Sequence, residues 1–289
     1  MNDSTFCESD RKMNRFLERF FFPLIALLIW TDAAMTQKPT PKQFHALAQM
    51  SKYSGPLTFL FSFPRSGNTW LRYCLEFLTQ RPSFSKVGHY YDIQRPLGWA
   101  AGFVIDTSKA PIIKAHAYHE MLLGHNNIES RAPNPETDTL IFILRNPKET
   151  FARIEHTTWH SLMHNHIAGL GYEAQSYFDG LELFDAWPAH MRLLIYYEDF
   201  LTSPRETLMH ILNFLDEPLT RLDQFMDKYE MHRQQCLALY PSSLSKGADT
   251  LFHSKKTSLE FHKLLDEWIQ KAYPYLWHTY LEQRYAMRT

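Results

Sequence analysis

The chain is predicted to be an α/β protein, a three-layer sandwich with a central parallel sheet, on two observations. Short apolar runs rich in β-branched and aromatic residues recur along it, and strong helix-start signals follow two of them. The runs are Leu57 to Phe63, Pro111 to Lys114, Thr139 to Leu144 and Arg192 to Tyr197. Helical or loop sequence, rather than a tight hairpin, follows each. Strands that alternate with helices pair in parallel and are covered on both faces.

The helix signals are local and physical. Asn146-Pro147-Lys148-Glu149 supplies a capping side chain, a proline at the first helical position and a reciprocal glutamate at the third. Ser203-Pro204-Arg205-Glu206 repeats that pattern ahead of Leu208, Ile211, Leu212 and Leu215, which share one helical face. No internal repeat or low-complexity tract is present.

Composition sets the outer bounds. With 289 residues, 45% hydrophobic and 15% aromatic, the chain has the material for a full core, which excludes a disordered protein and a disulfide-stapled mini-protein. Thirty basic against 31 acidic side chains exclude a globally basic coat for nucleic acid. The three cysteines, Cys7, Cys74 and Cys236, form no CxxC pair and suit a reducing compartment. Residues 20–30, FFFPLIALLIW, follow Arg11, Lys12, Arg15 and Arg19 and are shorter than the roughly 20 residues that span a bilayer. Three readings fit them: a signal sequence, a membrane-surface anchor, or an extension upstream of a start at Met35. The linker QKPTPKQ follows, so residues 1–54 are expected to form an N-terminal extension and 55–289 one folded domain. The expected location is cytoplasmic, with membrane attachment through residues 20–30 kept open.

In an open parallel sheet, ligands bind beyond the carboxyl ends of the strands. The four predicted ends run into Pro64-Arg65-Ser66-Gly67-Asn68-Thr69-Trp70, Lys114-Ala115-His116, Arg145, and Tyr197-Glu198-Asp199. Three cations, a histidine and helix N-termini on one rim suit a ligand with several negative charges. FSFPRSGNTWLR reads as a phosphate cradle, with Gly67 where a side chain would block approach and hydroxyls at Ser66 and Thr69. It is not the ATP-type loop, which needs a first glycine and a lysine that are absent.

These segments resemble the sulfotransferases that use 3'-phosphoadenosine 5'-phosphosulfate (PAPS). FPRSGNTW is similar to their 5'-phosphosulfate loop, with Arg65 as its basic residue. Ile112-Ile113-Lys114-Ala115-His116 resembles their lysine-x-histidine element, Leu144-Arg145-Asn146-Pro147-Lys148-Glu149 their 3'-phosphate loop, and Tyr196-Tyr197-Glu198-Asp199-Phe200 their YED element. Ser245-Lys246-Gly247 is similar to the late lysine-glycine loop that also holds the 3'-phosphate. The resemblance covers residues 57 to about 250 and implies a P-loop NTPase-like sulfotransferase fold. It further implies His116 as catalytic base, with Lys114 and Arg65 stabilising charge. Arg65, Ser66, Gly67, Asn68, Thr69, Trp70, Arg145, Arg153, Tyr197, Lys246 and Gly247 are the implied cofactor-binding residues. PAPS is then the co-substrate and PAP the product, the acceptor carries a hydroxyl or an amine, and no metal takes part.

The chain also departs from the family pattern. Arg153 stands where the family carries a serine; its guanidinium either reaches the phosphate or faces solvent. The threonine-serine-phenylalanine segment near the adenine and the Gly-Asp-Trp after the late loop are not recognisable, leaving Trp70 or Tyr229 as either an aromatic platform or core. His156, His160 and His164 share a helical face and read as a polar wall of the acceptor cleft rather than a metal site. The segment around Tyr90-Tyr91 and Leu97-Gly98-Trp99 reads as a cleft-lining insertion. Two other readings stand beside the sulfotransferase: a P-loop-type kinase or NTPase, and a non-catalytic nucleotide-binding module. The missing Walker ending disfavours the first, and the pairing of Lys114 with His116 disfavours the second.

Overall fold

The computed structural model describes residues 53–85, 96–116, 133–151, 171–239 and 259–286. Five parallel strands form one sheet in the order β2-β3-β1-β4-β5. They are β1 (Thr58–Ser62), β2 (Ser83–Ser85), β3 (Ile112–Ala115), β4 (Thr139–Leu144) and β5 (Arg192–Tyr196). The helices are α1 (Asn68–Thr79), α2 (Leu97–Ala100), α3 (Pro147–Phe151), α4 (Gly171–Ala186), α5 (Tyr197–Thr202), α6 (Pro204–Phe214), α7 (Leu222–Asp227), α8 (Tyr229–Leu239) and α9 (Leu259–Ala272). A C-terminal helical segment follows, Pro274–Leu276 running through a π-helical Trp277–Leu281 into Glu282–Tyr285.

Strand alternation sorts the core onto two faces, as the predicted three-layer sandwich requires. Phe59 and Phe61 of β1 and Leu140, Phe142 and Leu144 of β4 pack under α4, α9 and the C-terminal segment. Leu60, Ile141, Ile143, Leu193 and Ile195 pack against α1, α6, α7 and α8 on the other face. Gly180 lets α4 sit close to the sheet, since a Cβ there would collide with the Phe61 ring, 3.1 Å from its Cζ.

All four predicted strands are present, and β2 is an addition. Its three residues, Ser-Phe-Ser, are too short and polar for an apolar-run criterion. They are stabilised from elsewhere in the chain. Arg72 Nε donates to Ser83 Oγ at 2.9 Å, Ser83 Oγ donates to Glu76, and Glu76 also accepts the backbone N–H groups of Leu97 and Gly98. Burial pushes the Glu76 carboxyl up to about 7 against the pull of Arg72. Tyr197, read as strand, instead opens α5.

The two capping signals have different outcomes. Asn146 Oδ1 accepts the Lys148 N–H at 3.0 Å, as a helix cap does. Ser203 makes no side-chain cap; its N–H donates to Asp199 O at 2.8 Å because the residue also terminates α5. No described helix is long and apolar enough to cross a membrane. Residues 20–30, Tyr90-Tyr91, Arg153, His156, His160, His164 and Ser245-Lys246-Gly247 lie outside the described residues.

Replacing glycine by alanine inside a helix ordinarily stabilises it by about 0.5–1 kcal/mol. Gly180→Ala is expected to do the reverse and cost about 1–3 kcal/mol through overpacking against Phe61. The urea midpoint of the variant checks the sign.

Candidate active site

Parallel pairing brings the ends of the strands to one edge. Ser62 pairs beside Ile143, Phe61 beside Ala115, and Leu144 beside Tyr196. The segments after β1, β3, β4 and β5 therefore leave the sheet side by side, where ligands of open parallel sheets bind. The structure brings Arg65, Ser66, Gly67, Asn68, Lys114, His116, Arg145 and Tyr197 to this edge.

The loop after β1 is shaped by two residues in the left-handed region, Arg65 at φ 70° and Gly67 at φ 83°. The arginine conformation is strained, since its Cβ crowds the carbonyl, and such strain concentrates at functional loops. Gly67 is needed for a second reason. A Cβ there would meet the Tyr197 ring, 2.6 Å from Cδ2. Gly67 is also the N-cap of α1 and offers no side-chain cap, so the first N–H groups of that helix have no side-chain acceptor. Ser66 Oγ is buried and has no hydrogen-bond partner among the described residues. Uncapped helix N–H groups and an unpaired hydroxyl in a loop of alternating handedness fit an anionic group such as a phosphosulfate. Thr69 is half-buried on the same helical turn.

Arg145 ties this loop to two other strand ends. Its Nη1 donates to the Arg65 carbonyl at 2.6 Å, and its guanidinium carbon lies 4.2 Å from the centre of the Tyr197 ring. It is buried, and so is Lys114 in β3.

His116 follows β3 and is half-buried. Its Nδ1 lies 2.8 Å from the Ser62 carbonyl, which can only accept, so Nδ1 carries the proton and donates. Nε2 is then the basic nitrogen. Burial, followed by the cations Lys114, Arg72 and Arg65, holds the imidazole well below its usual pKa, outweighing the opposing bond to Ser62. Ser62 is held in turn by Asn68 Nδ2, which donates to its Oγ at 2.8 Å.

Trp70, in the first turn of α1, is buried. Its ring is 2% exposed, stacked on Tyr73 at 5.5 Å and packed near Phe200 and Phe225. Half-buried Tyr229 meets it edge to face at 5.5 Å. Of the two readings given for these rings, the structure places Trp70 in the core. The reading from sequence passed over Ser62 and Arg72, because a backbone carbonyl carries no sequence signal and Arg72 looks like any exposed helical arginine.

The sulfotransferase domain model matches residues 56–237, more than half of the chain. The chain belongs to the sulfotransferase domain family. Membership supports a sulfotransferase enzyme and speaks against the kinase reading. No curated protein matches it. Among solved structures it is similar to mouse sulfotransferase SULT7A1 complexed with PAP, at 16% identity and TM-score 0.46, covering 80% of this chain and 89% of that one. It is also similar to the sulfotransferase domain of the Synechococcus PCC 7002 olefin synthase, at 16% identity and TM-score 0.42, covering 75% and 96%. A third is retinol dehydratase in complex with retinol and PAP, at 13% identity and TM-score 0.41, covering 86% and 88%.

The sulfotransferase loop yields a stability test. Gly67→Ala places a Cβ at φ 83° and against Tyr197, so the variant is expected to lose at least about 1–2 kcal/mol from the left-handed backbone alone. A thermal melt indistinguishable from that of the parent protein would contradict this account of the loop.

Proposed function

We propose that the domain spanning residues 55–289 moves the sulfuryl group of PAPS to a hydroxyl, or less favourably an amine, of a small-molecule, glycan or lipid acceptor, with His116 as general base. The observation that carries this is the His116 tautomer. A ring whose Nδ1–H is committed to the Ser62 carbonyl presents Nε2 as proton acceptor, and burial, followed by the surrounding cations, keeps it neutral. In the step itself the acceptor oxygen forms a bond to sulfur while the bond from sulfur to the 5'-phosphate oxygen breaks. The acceptor proton goes to His116 Nε2, and PAP leaves with the electron pair.

Lys114 and Arg65 supply positive charge where negative charge develops on the departing oxygen. Preorganised charge of this kind is commonly the largest catalytic term. Ser66, Gly67, Asn68 and Thr69 hold the 5'-phosphate through the uncapped start of α1, and Arg145 holds the 3'-phosphate beside Tyr197. On the sequence pattern alone, Lys246, Gly247 and Arg153 join Arg145 at that end. The site works without a metal in this reading. We assign the enzyme to the cytoplasm on its three cysteines and the weak cleavage site after residues 20–30, with membrane attachment through that run kept open.

Incubating the full chain with isotopically labelled PAPS and an extract, followed by mass spectrometry, is expected to label a hydroxylated product that names the acceptor. His116→Ala is expected to retain PAP affinity and lose about 10²- to 10⁴-fold in turnover on that acceptor. Full turnover in the variant refutes the base assignment. The base works only when neutral, so kcat/KM is expected to stay level as pH falls through the ordinary imidazole value of 6.5 and to drop only well below it, where His116 protonates. Arg145→Ala is expected to weaken PAP binding about 10- to 100-fold by calorimetry, since it removes charge-assisted bonds.

A further inference from the structure

We propose that Tyr177, Glu198 and Tyr285 are positioning residues for Arg145, so that the C-terminal segment completes the 3'-phosphate end of the nucleotide site. This rests on the reading of Arg145 as the 3'-phosphate ligand.

The peptide group joining Arg145 to Asn146 is held from both sides. Its carbonyl accepts the Tyr177 hydroxyl of α4 at 2.7 Å, and its N–H donates to Glu198 Oε1 of α5 at 3.1 Å. Glu198 is held in turn, since its Oε2 accepts the Tyr285 hydroxyl at 2.6 Å. Tyr285 grips the same loop a second time. Its carbonyl accepts Lys148 Nζ at 2.7 Å, while Lys148 also pairs with Asp266 of α9 at 2.6 Å. Tyr177, Glu198 and Tyr285 are all buried.

A peptide group is planar, so bonds to both its oxygen and its hydrogen set the direction in which the Arg145 side chain leaves the backbone. The far end of that side chain is set by the Arg65 carbonyl and the Tyr197 ring. Arginine thereby loses its rotamer freedom before any ligand arrives, and preorganisation of this sort raises affinity by lowering the ordering cost of binding. None of the three positioning side chains needs to touch the nucleotide. Their effect is carried by one guanidinium, so it must be specific for the phosphate that guanidinium contacts. A merely structural role has no such preference.

Tyr285→Phe removes only the hydroxyl and leaves the carbonyl bond to Lys148 in place. In the full chain, calorimetric titration with PAP is expected to show affinity reduced about three- to tenfold, the usual effect of one lost hydrogen bond. Titration with 5'-AMP, which lacks the 3'-phosphate, is expected to show no matching loss. In turnover, the change falls on KM for PAPS rather than on kcat. Equal weakening for both nucleotides, or unchanged PAP affinity, overturns the proposal. If Tyr285→Phe fails to fold, Tyr177→Phe releases the opposite side of the same peptide and must show the same selective loss of PAP affinity. Arg145→Ala separates the two levels of the argument. If it leaves the preference for PAP over 5'-AMP intact, the nucleotide reading of Arg145 fails and the proposal falls with it. If it abolishes that preference and Tyr285→Phe does not reduce it, the positioning role alone is refuted.

Discussion

Arg145 donates to the carbonyl of Arg65 and lies over the ring of Tyr197, so a single cation joins the segments that leave β1, β4 and β5. That junction is available only because the strands run parallel and end together. The loop after β1 is strained at Arg65, and a strained conformation persists only where its surroundings overdetermine it. The bond from Arg145 and the ring packed against Gly67 are two of those surroundings. The position of Arg145 and the shape of the loop are therefore one mechanical problem.

A cationic edge imposes a constraint on the base. A buried histidine cannot hold a proton readily, and Lys114, Arg72 and Arg65 around it work in the same direction. The cations that suit a polyanionic ligand thus add to the effect of burial in keeping the imidazole neutral and ready to accept a proton. The Ser62 carbonyl determines which nitrogen is ready.

Buried polar groups brace loops on both sides of the sheet. On one side, Arg72, Ser83 and Glu76 attach β2 and the start of α2 to α1. On the other, Glu198, Tyr285, Lys148 and Asp266 attach the loop after β4 to the C-terminal segment. An unpaired group in either place would cost about 1–3 kcal/mol, so each network specifies one arrangement of its loop more sharply than apolar packing does.

Residue order alone determined the fold class, four of the five strands, the Asn146 cap and the identity of the residues gathered at the sheet edge. These depend on short-range patterning: the apolar run, the proline after a capping side chain, and the strand-to-helix turn. Tertiary structure decided what those patterns leave open. β2 is stabilised by partners on α1, and Ser203 terminates the preceding helix through its N–H while its side chain makes no cap for the next. Trp70, a plausible platform by position, is enclosed by rings that arrive from α5, α7 and α8. The tautomer of His116 and the grip on Arg145 come from a backbone carbonyl and from a tyrosine near the far end of the chain. Hydrogen bonds between residues so distant in sequence leave no periodicity behind, because they depend on where folded elements meet and not on what precedes or follows each residue.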